Sequence, residues 1–356
     1  MPPSSPSSPS SPGSSTPPTP SPGPAAPDPD RLDPGVRPFA DSLSAAFPDV
    51  GGRVADAASA RRILAAVPVS PVPPPAVGPV EDRLIPGPAG APSLPVRVYR
   101  PDPERWPGPR PTVVYCHGGG WVLCDLDTHD ATVRELCRAS GAVVVSVDYR
   151  LAPEAPFPAA VHDAHAALCW AGARLSGLGG DPGALVIAGD SAGGNLAAAA
   201  LLLARARGGP AVALQVLVYP ALDAAQDSAS VRRNAEGYFL TAVHLRWFWE
   251  QYLGPGGDGA DPLASPLRAD LSGMPPAHVV TAGCDPLCDE GAAYVRALRE
   301  AGTSAHEDHH PGMFHGFLGL VDFLPAARRA MDGVGEAIAR TGSSRKNCGD
   351  DGGGAG

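Results

Sequence analysis

The stretch ALVIAGDSAGGNLAAAALLLARA, residues 184–206, decides the fold. It begins with apolar residues of strand type, passes through Gly-Asp-Ser-Ala-Gly, and continues as an alanine- and leucine-rich helix. A serine at such a strand-to-helix corner is exposed at the end of a sheet, and the amide that follows it faces any nearby anion. Gly189 and Gly193 leave room for neighbouring backbone in so tight a turn. The stretch therefore predicts Ser191 as a nucleophile, although the pentapeptide alone carries little weight in a chain with 43 glycines.

Composition limits the class of protein and its partners. The chain has 356 residues, 44% of them hydrophobic, which suffices for one large α/β domain with additions. Its formal net charge of -10 disfavours nucleic acid, or an anionic membrane surface, as the main partner. No run of about 18 apolar residues occurs, so we expect no stable membrane insertion. Seven irregularly spaced cysteines favour reduced thiols in a cytoplasmic compartment. Cys284 and Cys288 alone are weak support for a metal site.

Sequence patterns divide the chain into four segments. Residues 1–34, rich in Pro and Ser, are predicted to be a disordered tail that lacks the features of a secretory signal. Residues 35–79 are predicted to hold N-terminal cap helices, with helical apolar spacing over 39–67, followed by a proline-rich linker. Residues 80–341 are predicted to form the main domain, and 342–356 a second disordered tail.

The main domain alternates strands and helices from residue 111 onward. This alternation predicts an α/β fold, with a mostly parallel central sheet and helices on both faces. Two earlier strands, at 80–85 and 94–100, are predicted to form an antiparallel edge of the sheet. The later strands are predicted at 112–116, 142–147, the segment before Ser191, 215–219, 278–282 and 305–310, and the helices at 128–139, 159–175, 289–301 and 326–339.

An insertion at about 223–265 interrupts this alternation. It is too long for a simple crossover, and its segment GYFLTAVHLRWFWEQYL is crowded with aromatic residues. We interpret the insertion, together with the N-terminal helices, as a helical cap over the site. Trp247 and Phe248 are candidates for the substrate pocket, and the alternative is that they only pack the cap onto the body. Trp121 is a third pocket candidate.

A serine hydroxyl is a weak nucleophile near neutral pH, so Ser191 needs a base, and the base needs an orienting group. The expected chain order is serine, acid, histidine, with each partner following a late strand. Asp285 follows the predicted strand at 278–282, and His315 follows the one at 305–310. Because parallel strands place ligands at their carboxyl ends, these side chains should meet at one rim of the sheet. His315 is predicted to be the base, Asp285 to orient it, and Ser191 to carry the acyl group.

Other acids and histidines have simpler interpretations. Asp289 is expected to begin a helix, where carboxylates often cap the backbone. Asp322 lies in an apolar, helical turn. The other histidines are interpreted as solvated or supporting residues on the strand before His315, namely His306, His309 and His310, or as surface or packing residues in helical segments, namely His129, His162 and His165.

The sequence HGGG, residues 117–120, follows the predicted strand at 112–116. Three successive glycines allow the loop to fold back with its amides pointing inward, where they would stabilise charge on a tetrahedral intermediate. Donors from this loop and from Ala192 would form an oxyanion hole. The alternative is a flexible glycine loop, which the preceding strand and the following tryptophan disfavour.

Six motifs together resemble the hormone-sensitive-lipase-like carboxylesterases, bacterial family IV. They are HGGGW at 117–121, DYRLAPE at 148–154, GDSAGGNLA at 189–197, YPALD at 219–223, DPLCDEG at 285–291 and GMFHGF at 312–317. The resemblance covers about 80–339 in the expected order. It implies an α/β-hydrolase fold with a cap made from N-terminal helices and an insertion after the sixth strand. Cys288 departs from the family pattern, where a basic residue is common.

The resemblance also implies roles for individual residues. It assigns the catalytic triad to Ser191, Asp285 and His315. It implies that the backbone amides of Gly119, Gly120 and Ala192 form the oxyanion hole. It also implies that His117 and Gly118 support the glycine loop.

These observations together predict a serine carboxylesterase that works through an acyl-enzyme. The expected partner is a small-molecule ester of short to medium acyl chain, or a small aryl ester, and no metal or other cofactor is expected. The same triad acting on an amide, carbamate or lactone stays open, as does a homodimer. A non-catalytic binder on the same fold is the other alternative, against which the presence of His315 counts.

Overall fold

The computed structural model of the protein describes Met1 and residues 31–67 and 72–343. The strands in these ranges are β1 (Val80–Ile85), β2 (Leu94–Tyr99), β3 (Arg110–Cys116), β4 (Val143–Val147), β5 (Gly180–Asp190), β6 (Leu214–Val218), β7 (Ala277–Cys284) and β8 (Ala305–Phe314). The α-helices are α1 (Arg37–Ala46), α2 (Ala57–Ala65), α3 (Asp130–Ser140), α4 (Ala159–Gly172), α5 (Leu175–Leu178), α6 (Ala192–Arg207), α7 (Ala229–Arg233), α8 (Ala242–Leu253), α9 (Cys288–Glu300) and α10 (Pro325–Ser343).

All eight strands belong to one sheet, in the order β1-β2-β4-β3-β5-β6-β7-β8. The strands β3 to β8 run parallel, while β1 pairs with β2, and β2 with β4, in antiparallel fashion. Each residue of β4, β6 and β7 is buried, as expected for parallel strands covered by helices on both faces. The predicted α/β architecture with an antiparallel edge is therefore confirmed.

Two hydrophobic cores lie on opposite faces of the sheet. Successive side chains of a strand point to opposite faces, so Val186 and Ile187 of β5 belong to different cores. The helices α4 and α6 pack together against one face, and α3 and α10 pack together against the other. The buried face of α6 is built mainly from alanine, whose small side chain allows close contact with the strands. This packing fixes the position of the corner between β5 and α6.

Several predicted elements have different bounds in the structure. The helical pattern at 39–67 forms two helices, α1 and α2, because Pro48 and the glycine pair at 51–52 interrupt it. The helix predicted at 159–175 ends at Gly172, and α5 is a separate turn. The strand β8 continues to Phe314, because it pairs with the end of β7 beyond an irregularity in the ladder. Residues 311–314 therefore belong to β8.

The boundaries of both predicted tails also shift. Residues 2–30, 68–71 and 344–356 lie outside the described residues. Within the predicted N-terminal tail, Leu32 is buried and Arg31 donates hydrogen bonds to the body of the protein, so the described part of that segment is packed. At the other end, α10 extends to Ser343, beyond the boundary predicted at residue 341.

A buried carboxyl group joins α9 to the corner that follows β6. Glu290 is 3% exposed, and its Oε2 accepts hydrogen bonds from the amides of Leu222 (2.6 Å) and Asp223 (3.0 Å). Burial raises the pKa of Glu290 to about 8 from an ordinary 4.5, and the two amide donors oppose this shift only partly. The folded protein therefore favours the neutral acid.

We expect the Glu290 carboxyl to make stability depend on pH. Because the folded pKa is raised, its stabilisation is complete below about pH 4.5 and is lost as the pH rises through about 8. The Glu290→Gln variant stays neutral at every pH. Between pH 6 and pH 9 its melting temperature should therefore fall by several degrees less than that of the wild type. Thermal melts of both proteins across this range measure the difference. Parallel curves for wild type and variant would contradict the expectation.

Candidate active site

Ser191 occupies the corner between β5 and α6 in a strained backbone conformation, with φ 54° and ψ −118°. Its amide donates to the carbonyl of Val218 at 2.8 Å, which ties the corner to the end of β6. A Cβ on Gly193 would collide with the backbone of Cys116, and one on Gly189 would collide with Gly193 itself. Glycine is thus required at both positions, and the strained turn exposes the Ser191 hydroxyl to the space above the sheet.

The side chains of the three predicted triad residues form one hydrogen-bonded chain. His315 Nε2 lies 3.0 Å from Ser191 Oγ, and His315 Nδ1 lies 2.7 Å from Asp285 Oδ2. Asp285 follows β7 and His315 follows β8, which are adjacent parallel strands, so both residues stand at the same rim. The geometry allows His315 to take a proton from the Ser191 hydroxyl while Asp285 fixes the imidazole orientation.

Asp285 is held firmly in this position. Its side chain is completely buried, and Oδ1, the oxygen that does not face His315, accepts from the amide of Leu287 at 2.8 Å. The alternative acid, Asp289, instead accepts from the amide of Ser230 at 2.7 Å on α7. Both carboxylate oxygens of Asp285 are therefore satisfied without a bond to solvent.

The glycine loop is attached to the corner through Asp190, the residue before Ser191. Oδ1 of Asp190 accepts from the amide of Gly118 at 2.9 Å and from the Tyr115 hydroxyl at 2.6 Å. Gly119 (φ 105°) and Gly120 (φ 60°) have left-handed backbones that favour glycine. A Cβ at Gly118 would overlap the Asp190 carboxylate. The loop thus returns beside Ser191, as the oxyanion-hole hypothesis requires.

The charge of Asp190 is maintained although the residue is buried. Burial alone would raise the pKa of this carboxyl, but His129 and the hydrogen bonds from Tyr115 and His129 outweigh burial and lower the pKa below its ordinary value. His129 Nε2 lies 3.5 Å from Asp190 Oδ2. An ionised Asp190 is a stronger acceptor for the Gly118 amide than a neutral one, which stabilises the loop conformation.

His117 supports the loop from beneath. It is fully buried, its ring stacks on Tyr149 with 4.3 Å between centroids, and the Tyr149 hydroxyl donates to the His117 carbonyl at 2.8 Å. Burial, with a smaller contribution from His129, lowers the pKa of His117 to about 4. A neutral, stacked imidazole away from Ser191 fits the predicted supporting role and leaves His315 as the histidine in contact with the serine.

A cavity of about 300 Å³ lies above Ser191. Its wall is mainly apolar, and the residues that line it include the predicted Gly119, Gly120, Trp121, Ser191, Ala192, Phe248 and His315. Trp247 does not line the cavity: its Nε1 donates to the carbonyl of Ala55 at 3.2 Å and its ring packs edge-on against Phe248. Of the two cap aromatics proposed from sequence, Phe248 therefore faces the cavity and Trp247 attaches α8 to the N-terminal segment.

Several lining residues were not identified from the sequence. Leu43 of α1 and Phe47, which directly follows α1, line the cavity together with Phe239, Leu240 and Leu245 of the insertion. Further polar lining residues lie just before α3 and in its first turn, namely Thr128, His129 and Thr132. His129, which the sequence suggests as a surface or packing residue, instead lines the cavity beside Asp190.

The described residues contain neither a metal-binding cluster nor a helix that could span a membrane. Among the residues that the structure describes, no three His, Cys, Asp or Glu side chains are grouped so that they could hold a metal ion. In the same ranges, no helix is both long enough and apolar enough to cross a bilayer.

Comparison with known proteins identifies the family. A family model described as the α/β-hydrolase fold matches residues 113–319, which include the glycine loop and the three predicted triad residues. The chain is 48% identical over 248 residues to carboxylic ester hydrolase LipN of Mycobacterium tuberculosis, and the match covers 68% of this chain and 65% of LipN. Carboxylesterase NlhH of the same organism is 44% identical over 256 residues, covering 70% of this chain and 79% of NlhH.

A solved structure agrees with these relatives. The hyperthermophilic esterase from the archaeon Pyrobaculum calidifontis superimposes with a TM-score of 0.77 at 40% identity, covering 87% of this chain and 98% of that one. At this identity the likeness extends beyond the fold to the family. The chain belongs to the α/β-hydrolase fold family, among the hormone-sensitive-lipase-like carboxylic ester hydrolases.

Proposed function

We propose that the protein hydrolyses carboxylic esters of short to medium acyl chain, or small aryl esters, through an acyl-enzyme on Ser191. The observation that supports this most strongly is the hydrogen-bonded chain from Ser191 Oγ to His315 to Asp285 at the floor of an apolar cavity. In the first step His315 Nε2 accepts the Ser191 proton as Oγ attacks the ester carbonyl. His315 then donates this proton to the leaving alcohol.

The second half of the cycle uses the same groups with water. His315 takes a proton from a water molecule as the water oxygen attacks the acyl carbon. The bond between this carbon and Ser191 Oγ then breaks, the carboxylic acid leaves, and His315 returns the proton to Oγ. Each half passes through a tetrahedral intermediate with charge on the former carbonyl oxygen. Gly119, Gly120 and Ala192 line the cavity beside Ser191, and we assign their amides to this oxygen.

The size and composition of the cavity support the choice of substrate. A volume of about 300 Å³ is at the lower end of the range for small-molecule sites, which favours small esters over long acyl chains. Leu43, Phe47 and Phe248 contribute apolar surface that matches an acyl or aryl group. The cavity offers no cluster of cations for a charged substrate, because its described titratable lining residues are Cys124, His129, Asp190, Tyr219 and His315.

A hydrolysis panel combined with covalent labelling tests this function. We expect turnover of p-nitrophenyl acetate to hexanoate, weaker turnover of laurate and longer chains, and labelling of Ser191 by an organophosphonate. The Ser191→Ala variant should not be labelled. Absence of both labelling and ester cleavage by the folded wild type would favour a non-catalytic binder. Faster cleavage of matched amides, carbamates or lactones would overturn the ester assignment.

The Phe248→Ala variant should shift the acyl-chain preference. Phe248 lines the cavity and packs close to Gly120, so its removal enlarges the space beside Ser191. We expect the ratio of kcat/KM for octanoate to that for butyrate to rise by about ten-fold, in line with the value of a few buried methylenes. Trp247→Phe is the matched control, because Trp247 is adjacent in α8 but does not line the cavity. An equal shift in both variants would contradict the assignment of Phe248.

A further inference from the structure

The backbone that carries Asp285 is held by contacts from outside the catalytic triad. The Asn234 side chain is fully buried, and its Nδ2 donates to the carbonyls of Asp285 (2.8 Å) and Gly283 (3.1 Å). Asn234 follows α7 in the insertion, so the cap and the acid-bearing segment are joined directly. These two bonds fix the backbone on both sides of Cys284.

Arg31 completes this contact from the N-terminal segment. Its Nη1 donates to Asn234 Oδ1 at 2.7 Å, and its Nη2 donates to the Gly283 carbonyl at 2.8 Å. The planar guanidinium thus bridges the amide side chain and the backbone that this side chain holds. Without Arg31, the buried Oδ1 of Asn234 would lose this donor, and a buried acceptor without a partner is unfavourable.

The same N-terminal segment also contacts the strand that leads to His315. The amide of Asp33 donates to the carbonyl of Gly312 at 3.0 Å, three residues before His315. The Asp33 carboxylate lies so close to Gly312 that a Cβ there would overlap it. Leu32, between these contacts, is buried in the same hydrophobic core as Phe314. Residues 31–33 therefore touch the ends of both β7 and β8.

We propose that Arg31 is a positioning residue for catalysis, acting with Asn234 to hold the Asp285 backbone at the distance that lets its carboxylate orient His315. Residues 31–33 contact the ends of β7 and β8. Asp285 and His315 directly follow these two ends, and their side chains are 2.7 Å apart. This inference rests on the proposed function, since it assumes that Asp285 and His315 act in catalysis. Misplacement of a catalytic group by about 1 Å can slow a reaction by about a hundred-fold.

The Arg31→Ala variant tests this role. We expect kcat for p-nitrophenyl butyrate to fall by about ten- to a hundred-fold while KM changes less than about two-fold, because the cavity wall is unaltered. Arg31→Lys can make one of the two hydrogen bonds and should recover part of the lost kcat. Arg37→Ala is the matched control: Arg37 donates to the Gly237 carbonyl at 2.6 Å in the insertion, and within the described residues its side chain makes no hydrogen bond to residues 283–285. This control should keep kcat.

A double-mutant cycle identifies the residue through which Arg31 acts. In an Asp285→Ala background, Arg31→Ala should cause no further loss of kcat, because the group that it positions is already absent. A full additional loss in this background, or unchanged kcat in the single variant, would overturn the inference and leave the triad assignment intact. Full activity of Asp285→Ala would overturn the proposed triad, and with it this role for Arg31. Melting temperatures of all variants establish that the kinetic losses come from folded protein.

Discussion

Replacing Ser191 with alanine is expected to lower kcat/KM for p-nitrophenyl esters by about 10⁵- to 10⁶-fold, the effect of removing a nucleophile that works as a unit with its base. Alanine keeps the Cβ and removes only the oxygen that lies 3.0 Å from His315 Nε2. The cavity, the glycine loop and the strained corner are unchanged by this substitution. Initial-rate measurements on variant protein free of wild-type contamination determine the ratio.

Two controls make this result specific. Ser44→Ala removes an exposed hydroxyl on α1 that donates to the Ala40 carbonyl, and it should leave kcat/KM unchanged. The melting temperature of Ser191→Ala should stay close to that of the wild type, because the Ser191 amide still donates to Val218. A variant that is folded yet retains more than about one hundredth of the activity would exclude Ser191 as the nucleophile.

The contacts that join Ser191, His315 and Asp285 were predictable because these three residues occupy positions that sequence patterns define well. Ser191 lies between an apolar strand and a helix, and glycines flank it where the structure leaves no space for a Cβ. Asp285 follows the apolar strand β7 and His315 follows the more polar strand β8, and parallel strands end at the same rim of a sheet. The order of serine, acid and histidine along the chain then assigns the roles.

The cavity wall was less predictable, because it depends on how helices are rotated and where they dock. Trp247 and Phe248 are adjacent in α8, yet only Phe248 faces the cavity, since side chains one residue apart on a helix point in directions about 100° apart. Leu43 lies on α1 and Phe47 directly after its last residue, and both line the cavity together with residues of the insertion. Their spacing predicted a helix, but not the surface on which it packs.

Contacts between distant polar residues were also absent from the sequence analysis. Arg31 and Asn234 are 203 residues apart, and Arg31 lies in a segment whose composition predicts disorder. A local sequence pattern cannot predict a hydrogen bond between residues that are so far apart in the chain. His129 is similar: its helical position is visible in the sequence, whereas its 3.5 Å approach to Asp190 depends on the packing of α3 beside the glycine loop.

The Asp285→Asn variant should lower kcat/KM by about 10⁴-fold with little change in fold. The Asp285 carboxylate accepts a hydrogen bond from His315 Nδ1 at 2.7 Å, and this bond keeps the neutral imidazole protonated on Nδ1 and free to accept at Nε2. An asparagine amide that donates to Nδ1 selects the opposite tautomer. Nε2 then carries the proton and cannot take another from the Ser191 hydroxyl, and the negative charge that stabilises the imidazolium is lost.

The neighbouring acid supplies the control for this experiment. Asp289 lies four residues further along, and its carboxylate accepts from the Ser230 amide at 2.7 Å and from Arg233 at 3.3 Å rather than from a histidine. Asp289→Asn should therefore retain kcat/KM within a few-fold, because an amide oxygen still accepts from Ser230. Both variants are measured side by side. A large loss of kcat/KM in Asp285→Asn alone supports the assignment of Asp285 as the acid. A comparable loss at position 289 would instead indicate that the effect comes from the junction of α7 and α9.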